Sequence, residues 1–387
     1  MTLDAAKLRL GLDPDTLASC VSCGLCLPHC PTYRVTGEEA SSPRGRIAAM
    51  RSIQDLGTAP DQSFYDSMES CVMCRGCETA CPSGVQFGRL MEQTREVIGP
   101  KRVPWWQRFG LSMLAHPRLL RVGSLGAALA QRARLVPKRL GLPALPLRRP
   151  RLVPTGTDVW LLTGCVMDAW QRDVHAATMA VITATGVGVT PRSGGCCGAL
   201  SAHSGLGDQA RRMAAGVMTS FPGDAPILVN SAGCGAALKD YGHLLGTPAA
   251  QAFSERVFDV HEWLAERVDR LPPRTGVRQR VAVQDACHLR HVQRAHLPVR
   301  TVLRAVADVV ELDDEGLCCG AGGSYSMFHP QIAAAIRERK LESVARSGMS
   351  DGLVASANPG CMLHLRAAGL DVRHPMEIVA NALGLVP

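Results

Sequence analysis

Two stretches, CVSCGLCLPHCP at residues 20–31 and CVMCRGCETACP at residues 71–82, are written to one template. Cysteines stand at Cys20, Cys23, Cys26 and Cys30 in the first and at Cys71, Cys74, Cys77 and Cys81 in the second. A proline, Pro31 or Pro82, closes each run. The spacing has a chemical reason. Three thiolates separated by two residues each can wrap one corner of an iron–sulfur cubane, while the fourth, just before the proline, points away and ligates the other cluster. The expectation is one [4Fe–4S] cluster on Cys20, Cys23, Cys26 and Cys81 and a second on Cys71, Cys74, Cys77 and Cys30. Such a pair moves single electrons. C-x₂-C pairs also suit zinc, but zinc has no use for the third and fourth cysteines at these offsets.

Working outward, the segment between the runs, SSPRGRIAAMRSIQDLG, opens with Ser42-Pro43 and sets Ile47, Met50, Arg51 and Ile53 at helical spacing. Residues 1–100 therefore read as a mostly helical two-cluster module of the ferredoxin type. Arg44 and Arg46 either hold positive charge near the clusters or serve the surface of a helix N-terminus.

Residues 101–155 form a connector. Between Val97 and Thr157 there is no Asp or Glu, but there are twelve cations: Lys101, Arg102, Arg108, Arg118, Arg121, Arg132, Arg134, Lys138, Arg139, Arg148, Arg149 and Arg151. Removing these twelve from the net +8 leaves −4, so the positive charge belongs to this segment. Trp105, Trp106 and leucines interleaved with arginines accompany it. Three uses stay open: an interfacial helix at an anionic membrane, a docking surface for an acidic partner, or a solvated, proline-broken connector. No nucleic-acid reader motif accompanies the charge, so nucleic acid is not an expected partner.

From residue 156 a strand–helix alternation begins and then repeats. The first round, 156–276, places Cys165 after DVWLLTG, Cys196 and Cys197 in GGCCG after VGVT, and Cys234 in SAGCG after PILVN. The second, 277–387, places Cys287 after RVAVQDA, Cys318 and Cys319 in LCCG after VVEL, and Cys361 in NPGC after GLVASA. The offsets are 122, 122 and 127 residues, an internal duplication. The expected fold class is α plus α/β: the helical cluster module, then two duplicated α/β domains with parallel sheets and cysteines at strand C-terminal ends. All sixteen cysteines are then accounted for, each a candidate iron ligand. Adjacent cysteines cannot easily share one iron but can reach two metals of a cluster, so one or two further clusters are expected in the repeats. His203 and His288 sit beside these loops, able to donate to a cluster sulfur or relay a proton, or to be hydrogen-bonded loop histidines.

The chain of 387 residues is 46% hydrophobic, enough for two or three cores. Its first residues, MTLDAAKLRLGLD, carry acidic side chains and no apolar run, so no secretory signal is expected. The longest uncharged apolar segment, Val122 to Gln131, is far too short to span a bilayer. Cysteines in such number without a signal argue for a reducing cytoplasm.

GGCCGAL and LCCGAGG resemble the CCG repeats of the heterodisulfide reductase family. The whole chain resembles the iron–sulfur subunits of glycolate oxidase (glycolate dehydrogenase), in CPTY with PRGRI, CETACPSGV, TGCV, CCGALSAHSG, NSAGCGAALKDYG, CHLRHVQ, CCGAGGSYS and NPGCMLHLRAAG. The resemblance implies an electron-transfer subunit with no catalytic residue of its own. FAD-containing flavoprotein partners would oxidise glycolate to glyoxylate, and electrons would pass toward a quinone-type acceptor, with peripheral contact at the inner face of the cell membrane. Iron–sulfur subunits of L-lactate and glycerol-3-phosphate oxidation use nearly the same cysteines; SAHSG and NSAGCGAALKDYG resemble the glycolate branch more closely. No G-x-G-x-x-G after a strand marks a flavin or nicotinamide site in the chain. One departure matters. Heterodisulfide reductase relatives end each repeat in C-x₂-C, whereas here Ala237 and His364 stand three residues after Cys234 and Cys361. That puts thiol–disulfide chemistry in doubt and leaves His364 as a substitute ligand or a polar neighbour.

Overall fold

The computed structural model describes residues 8–135, 144–314 and 316–385. Over the first hundred residues it is helical, and prolines start three of the helices, at Pro14, Pro31 and Pro43. Pro31 opens the helix Pro31–Thr36 with Cys30 as its extended N-cap, a position where the missing N–H is no loss. Pro43 opens Pro43–Gln54, whose cap Ser42 Oγ accepts from the Gly45 N–H at 2.9 Å. The face expected to point inward does so. Ile47, Met50 and Ile53 pack with Phe64, Met68, Leu90 and Met91, and Cys71 and Cys77 lie in the same core. The long helix Phe87–Arg102 then carries the chain out of this module.

The duplicated half forms two sheets of one topology. Strands β1 (Val159–Leu162), β2 (Val189–Arg192), β3 (Ile227–Val229) and β4 (Val257–Asp259) lie in the order 2-1-3-4. Strands β5 (Arg280–Val283), β6 (Asp308–Glu311), β7 (Leu353–Ala355) and β8 (Asp371–Arg373) repeat it as 6-5-7-8. Every pairing is parallel, with Leu161 opposite Leu228 in one sheet and Ala282 opposite Val354 in the other. The central strands are runs of buried aliphatics, as parallel sheets covered on both faces require. Edge strands β4 and β8 were not expected. Each is three residues long with alternating burial, too short to print a period of two on the sequence.

The repeats share one core. Leu161, Val181 and Leu228 of the first join Val281, Val302 and Val354 of the second in a continuous apolar cluster. Equivalent strand ends meet there: the Ala232 N–H donates to the Ala357 carbonyl at 3.0 Å, and His374 Nε2 lies 2.9 Å from the Asn230 carbonyl.

The connector folds into the helices Trp105–Met113 and Pro117–Arg132, and three of its cations meet carboxylates, Arg102 on Glu69 at 2.9 Å and two more on one buried acid. Arg121 and Arg149 reach the buried Asp168 carboxylate at 2.8 and 2.9 Å, where Arg172 of the first repeat joins them. Trp170 Nε1 donates to Ser124 Oγ at 2.8 Å beside this knot. Lys138 and Arg139 lie outside the described residues.

Asp168→Asn strands three guanidiniums around a neutral amide. Because those guanidiniums retain some solvent, the expected loss is about 2–3 kcal/mol in urea unfolding, below that of a fully buried broken pair. A variant as stable as the parent would show that the knot does not fasten the connector.

Candidate iron–sulfur sites

Both cysteine runs wind in the same way. Ser22 and Gly24 in the first, and Met73 and Arg75 in the second, all adopt left-handed backbone with φ of 58°, 86°, 60° and 61°. Three of these four are not glycine, and such residues take this conformation at a cost of roughly 1 kcal/mol each. Left-handed residues turn successive N–H groups to one side, forming concavities suited to anions, iron–sulfur clusters among them. Backbone of this kind persists only where the surrounding structure holds it, and it clusters at functional sites.

A cavity is lined by Cys30, Cys71, Cys74 and Cys77, with Arg46 and Phe87 in its wall, and Cys81 is not part of it. Burial pushes the Cys77 thiol well up, and the neighbouring Cys74, Cys71 and Cys30 push it further. Burial likewise raises Cys30, against the pull of Arg46. Cys20, Cys23 and Cys26 lie on a more open loop on which Cys23 is exposed. Burial raises the Cys26 thiol, and Cys20 and Cys30 add to the rise. Among the described residues no three His, Cys, Asp or Glu side chains are arranged around a single-ion point. The donor set, four thiols around a cavity with a cation in its wall, fits a larger anionic body.

The two arginines of the SPRGR segment part company. Arg44 stays at the surface on Glu39 at 2.7 Å. Arg46 is 1% exposed and donates to the Ser41 and Ser67 carbonyls at 2.6 and 2.8 Å, with Cys30 Sγ 3.9 Å from its Nη1. A second buried arginine, Arg95, was not foreseen, since one Arg in a polar helical run carries no sequence signal. It donates to the carbonyls of Met68, Glu69 and Cys71 and also to that of His203, at 2.7 Å.

In each repeat the four cysteines come together. Cys197 Sγ lies 3.4 Å from Cys234 Sγ, and Cys196 touches both Cys165 and Cys197. In the second, Cys318 touches Cys287 and Cys319, and Cys319 touches Cys361. The duplication extends to single hydrogen bonds: the Gly198 N–H reaches Cys196 Sγ at 3.5 Å and the Gly320 N–H reaches Cys318 Sγ at 3.3 Å. The cysteines lie just past the strands rather than on them. Strand β1 stops at Leu162 and β5 at Val283, so Cys165 sits on a turn and Cys287 opens the π-helical turn His288–Val292, a form frequent at functional sites. Cys234 and Cys361 lie in the first turn of the helices Ala232–Lys239 and Pro359–Arg366.

One thiol contact crosses between the halves. Cys74 of the helical module meets Cys318 of the second repeat, and this contact is the largest cause of a lowered Cys74 thiol. Around it Val72, Cys287, Tyr325 and Ile336 form a small apolar cluster, and the Tyr325 hydroxyl donates to the Ser70 carbonyl at 3.0 Å.

His203 and His288 meet at this three-way junction with ring centroids 5.2 Å apart. His203 Nδ1 is 3.6 Å from Glu92. The Glu92 carboxyl, pushed up by burial, is nevertheless held below its usual range by His203, Arg75 and Arg89. Burial, with His203 and Arg75 nearby, brings His288 down to about 3. Among the described residues neither ring is hydrogen-bonded to a cysteine sulfur. His364 lies near Cys319, with its Nε2 3.3 Å from the Ala333 carbonyl.

Residues 16–85 match the family described as a 4Fe-4S dicluster domain, and residues 159–239 and 281–366 each match the cysteine-rich domain. The chain is 32% identical to the glycolate oxidase iron-sulfur subunit of Escherichia coli, across 99% of this chain and 98% of the relative. It belongs to the glycolate oxidase iron–sulfur subunit family. A "Probable glycolate oxidase iron-sulfur subunit" of Bacillus subtilis is 31% identical over 92% of this chain and 89% of its own length. At 26% identity, over 95% of this chain and 94% of the relative, stands a dihydromethanophenazine:CoB–CoM heterodisulfide reductase subunit of Methanosarcina barkeri. As a member of this family the chain is the iron–sulfur subunit of an oxidoreductase complex, with two [4Fe–4S] clusters. Among the described residues no helix is long and apolar enough to cross a membrane.

The CCG loops rest on glycines that admit no side chain. At Gly320, φ 89°, a Cβ would lie 2.5 Å from the Ala333 carbonyl oxygen; at Gly198, φ 84°, it would lie 3.0 Å from that of Ala210. Gly320→Ala is expected to destabilise by about 2–3 kcal/mol in urea unfolding and Gly198→Ala by less, the left-handed backbone alone accounting for about 1. Equal or reversed losses would contradict this packing.

Proposed function

We propose that this chain carries electrons from a partner flavoprotein, which oxidises glycolate to glyoxylate, toward a quinone-type acceptor. The contact between Cys74 and Cys318 is the observation that carries the reading, because it joins the two-cluster module to the second repeat through their candidate ligands. Cys20, Cys23, Cys26 and Cys81 would hold one [4Fe–4S] cluster and Cys71, Cys74, Cys77 and Cys30 the other. Cys165, Cys196, Cys197 and Cys234 would hold a further cluster, and Cys287, Cys318, Cys319 and Cys361 another. A bound cluster supplies one-electron storage. The protein's part is to space the sites, bury them and set their charge. The proposed division is 1–100 for the cluster module, 101–155 for the connector, and 156–276 and 277–387 for the repeats. Glycolate is favoured over other 2-hydroxy acids by the relatives of Escherichia coli and Bacillus subtilis. The missing fifth cysteines, at Ala237 and His364, weigh against disulfide cleavage.

The acceptor end is proposed to lie at an anionic membrane. On the helix Pro117–Arg132, Leu119, Val122, Leu125 and Leu129 are all exposed and fall within one side of the helix. Trp105 and Phe109 are exposed on the preceding helix. Arg118, Arg134, Arg148 and Arg151 are exposed in the same acid-free segment. Apolar side chains with Trp and flanking cations are what an interfacial helix presents to anionic lipid.

Glycolate added anaerobically to the flavoprotein complex should bleach the broad visible absorbance of this subunit, while the isolated chain should not respond. Bleaching of the isolated chain by glycolate, or turnover of a disulfide without flavoprotein, would sink the carrier reading. The full complex should co-sediment with phosphatidylcholine vesicles only when phosphatidylglycerol is included, and Val122→Glu with Leu129→Glu should abolish this. Indifference to lipid charge, or sedimentation unchanged in that variant, would leave the helix face to a protein partner.

A further inference from the structure

Three arginines are buried among the described residues, and one of them, Arg300, pairs with Asp285 and Glu311 at 2.8 and 2.7 Å. Arg46 and Arg95 do not. Arg46 donates to the Ser41 and Ser67 carbonyls, to Thr32 Oγ1 at 3.3 Å and to Ser70 Oγ at 3.1 Å. Arg95 donates to four carbonyls, those of Met68, Glu69, Cys71 and His203. The nearby Glu69 carboxylate is taken by Arg102 at 2.9 Å. The hydrogen-bonding capacity of both guanidiniums is well used, yet neither positive charge is neutralised.

An unpaired buried charge costs several kcal/mol unless something of opposite sign offsets it. Both arginines grip the same short stretch from two sides. Arg46 holds Ser67 and Ser70, Arg95 holds Met68, Glu69 and Cys71, and this stretch leads straight into the cavity of Cys30, Cys71, Cys74 and Cys77. The anion that belongs there is the set of thiolates and whatever they ligate.

We propose that Arg46 and Arg95 are positioning residues that supply the countercharge for the cluster held by Cys30, Cys71, Cys74 and Cys77 and raise its reduction potential. This rests on the crossed ligation proposed above. A thiolate-ligated cluster is anionic and becomes more so on reduction, so fixed positive charge favours the reduced form, while burial without countercharge favours the oxidised one. Arg46 also orients Cys30, through its contact at Sγ and through Thr32, whose hydroxyl lies 3.2 Å from the same sulfur. The Cys20 loop has a weaker counterpart in Arg51, which is only half-buried and binds the Cys20 carbonyl at 2.8 Å.

The test is a redox titration followed by electron paramagnetic resonance on the full chain, purified anaerobically. Cys30→Ser and Cys23→Ser identify which signal belongs to which site. Arg46→Gln should retain its iron and shift the reduced-to-oxidised ratio of the signal lost in Cys30→Ser about tenfold toward oxidised, a fall of about 59 mV for one electron. Arg46→Lys, which keeps the charge, should stay near the parent. Should Arg46→Gln fail to fold or load, Ser70→Asp neutralises the guanidinium in place and should give the same fall, with Ser70→Asn as its uncharged control. Equal potentials in Ser70→Asp and Ser70→Asn, or a loaded Arg46→Gln with an unmoved potential, would overturn the proposal. So would a shift confined to the signal lost in Cys23→Ser. If the crossed ligation itself is wrong, Cys30→Ser removes the signal of the Cys20 run, whatever any arginine variant does.

Discussion

The Arg95 side chain is the interaction on which the assembly turns. One guanidinium closes the approach to Cys71 by gathering three carbonyls of the helical module, and its fourth bond goes to His203 of the first repeat. The helix that carries it lies so close to the Ser204–Gly205 turn that a Cβ on Gly205 would come within 2.1 Å of the Arg95 carbonyl oxygen. Two ion pairs reinforce the contact, Arg89 with Asp240 at 2.5 Å and Arg211 with Glu96 at 2.6 Å. The second pair, open to solvent, adds little by itself, while the half-buried, two-pronged Arg89 pair adds more. A buried arginine spanning four carbonyls is different, because removing it leaves several acceptors dry.

From this seam follows an asymmetry between two repeats of equal design. The first is tied to the helical module through structural bonds to His203, Asp240 and Arg211. The second is tied through the cluster loops themselves, with Cys74 against Cys318 and Tyr325 on Ser70. A duplicated fold thus presents two equivalent cysteine sets in inequivalent surroundings. The second repeat sets its own cysteine loop against the ferredoxin-type run, with Cys74 packed on the cluster of Cys287 and Cys318.

Charge is handled in two ways. Where cations are structural, carboxylates meet them, as at Asp168 with its three arginines and Asp285 with Arg290 and Arg300. At the cavity of Cys30, Cys71, Cys74 and Cys77, Arg75 in the wall is paired with Glu78 at 2.8 Å, whereas Arg46 in the wall and Arg95 behind Cys71 have no carboxylate partner. The basic character of the connector divides likewise: Arg121 and Arg149, still partly solvated, are tied to the buried Asp168, while other arginines and an apolar helix face remain free of that knot.

By itself the sequence determined the chemistry and the class of fold. Cysteine spacing is a local property, and two runs closed by Pro31 and Pro82 need no tertiary context to announce a dicluster module. The duplication was legible because the CCG offsets persist at 122 residues, and the inward face of Pro43–Gln54 because Ile47, Met50 and Ile53 keep helical period. Tertiary structure alone decided the rest. Strands β4 and β8 are too short to carry a pattern and exist because a parallel neighbour offers its edge. Asp168, Glu92 and Arg95 are single polar residues in ordinary helical runs, and their roles arise from partners as far away as His203, 108 positions from Arg95 and further still from Glu92. Which cysteine faces which cavity, and which arginine goes without a carboxylate, depends on how separate segments are brought together in space, which local spacing does not encode.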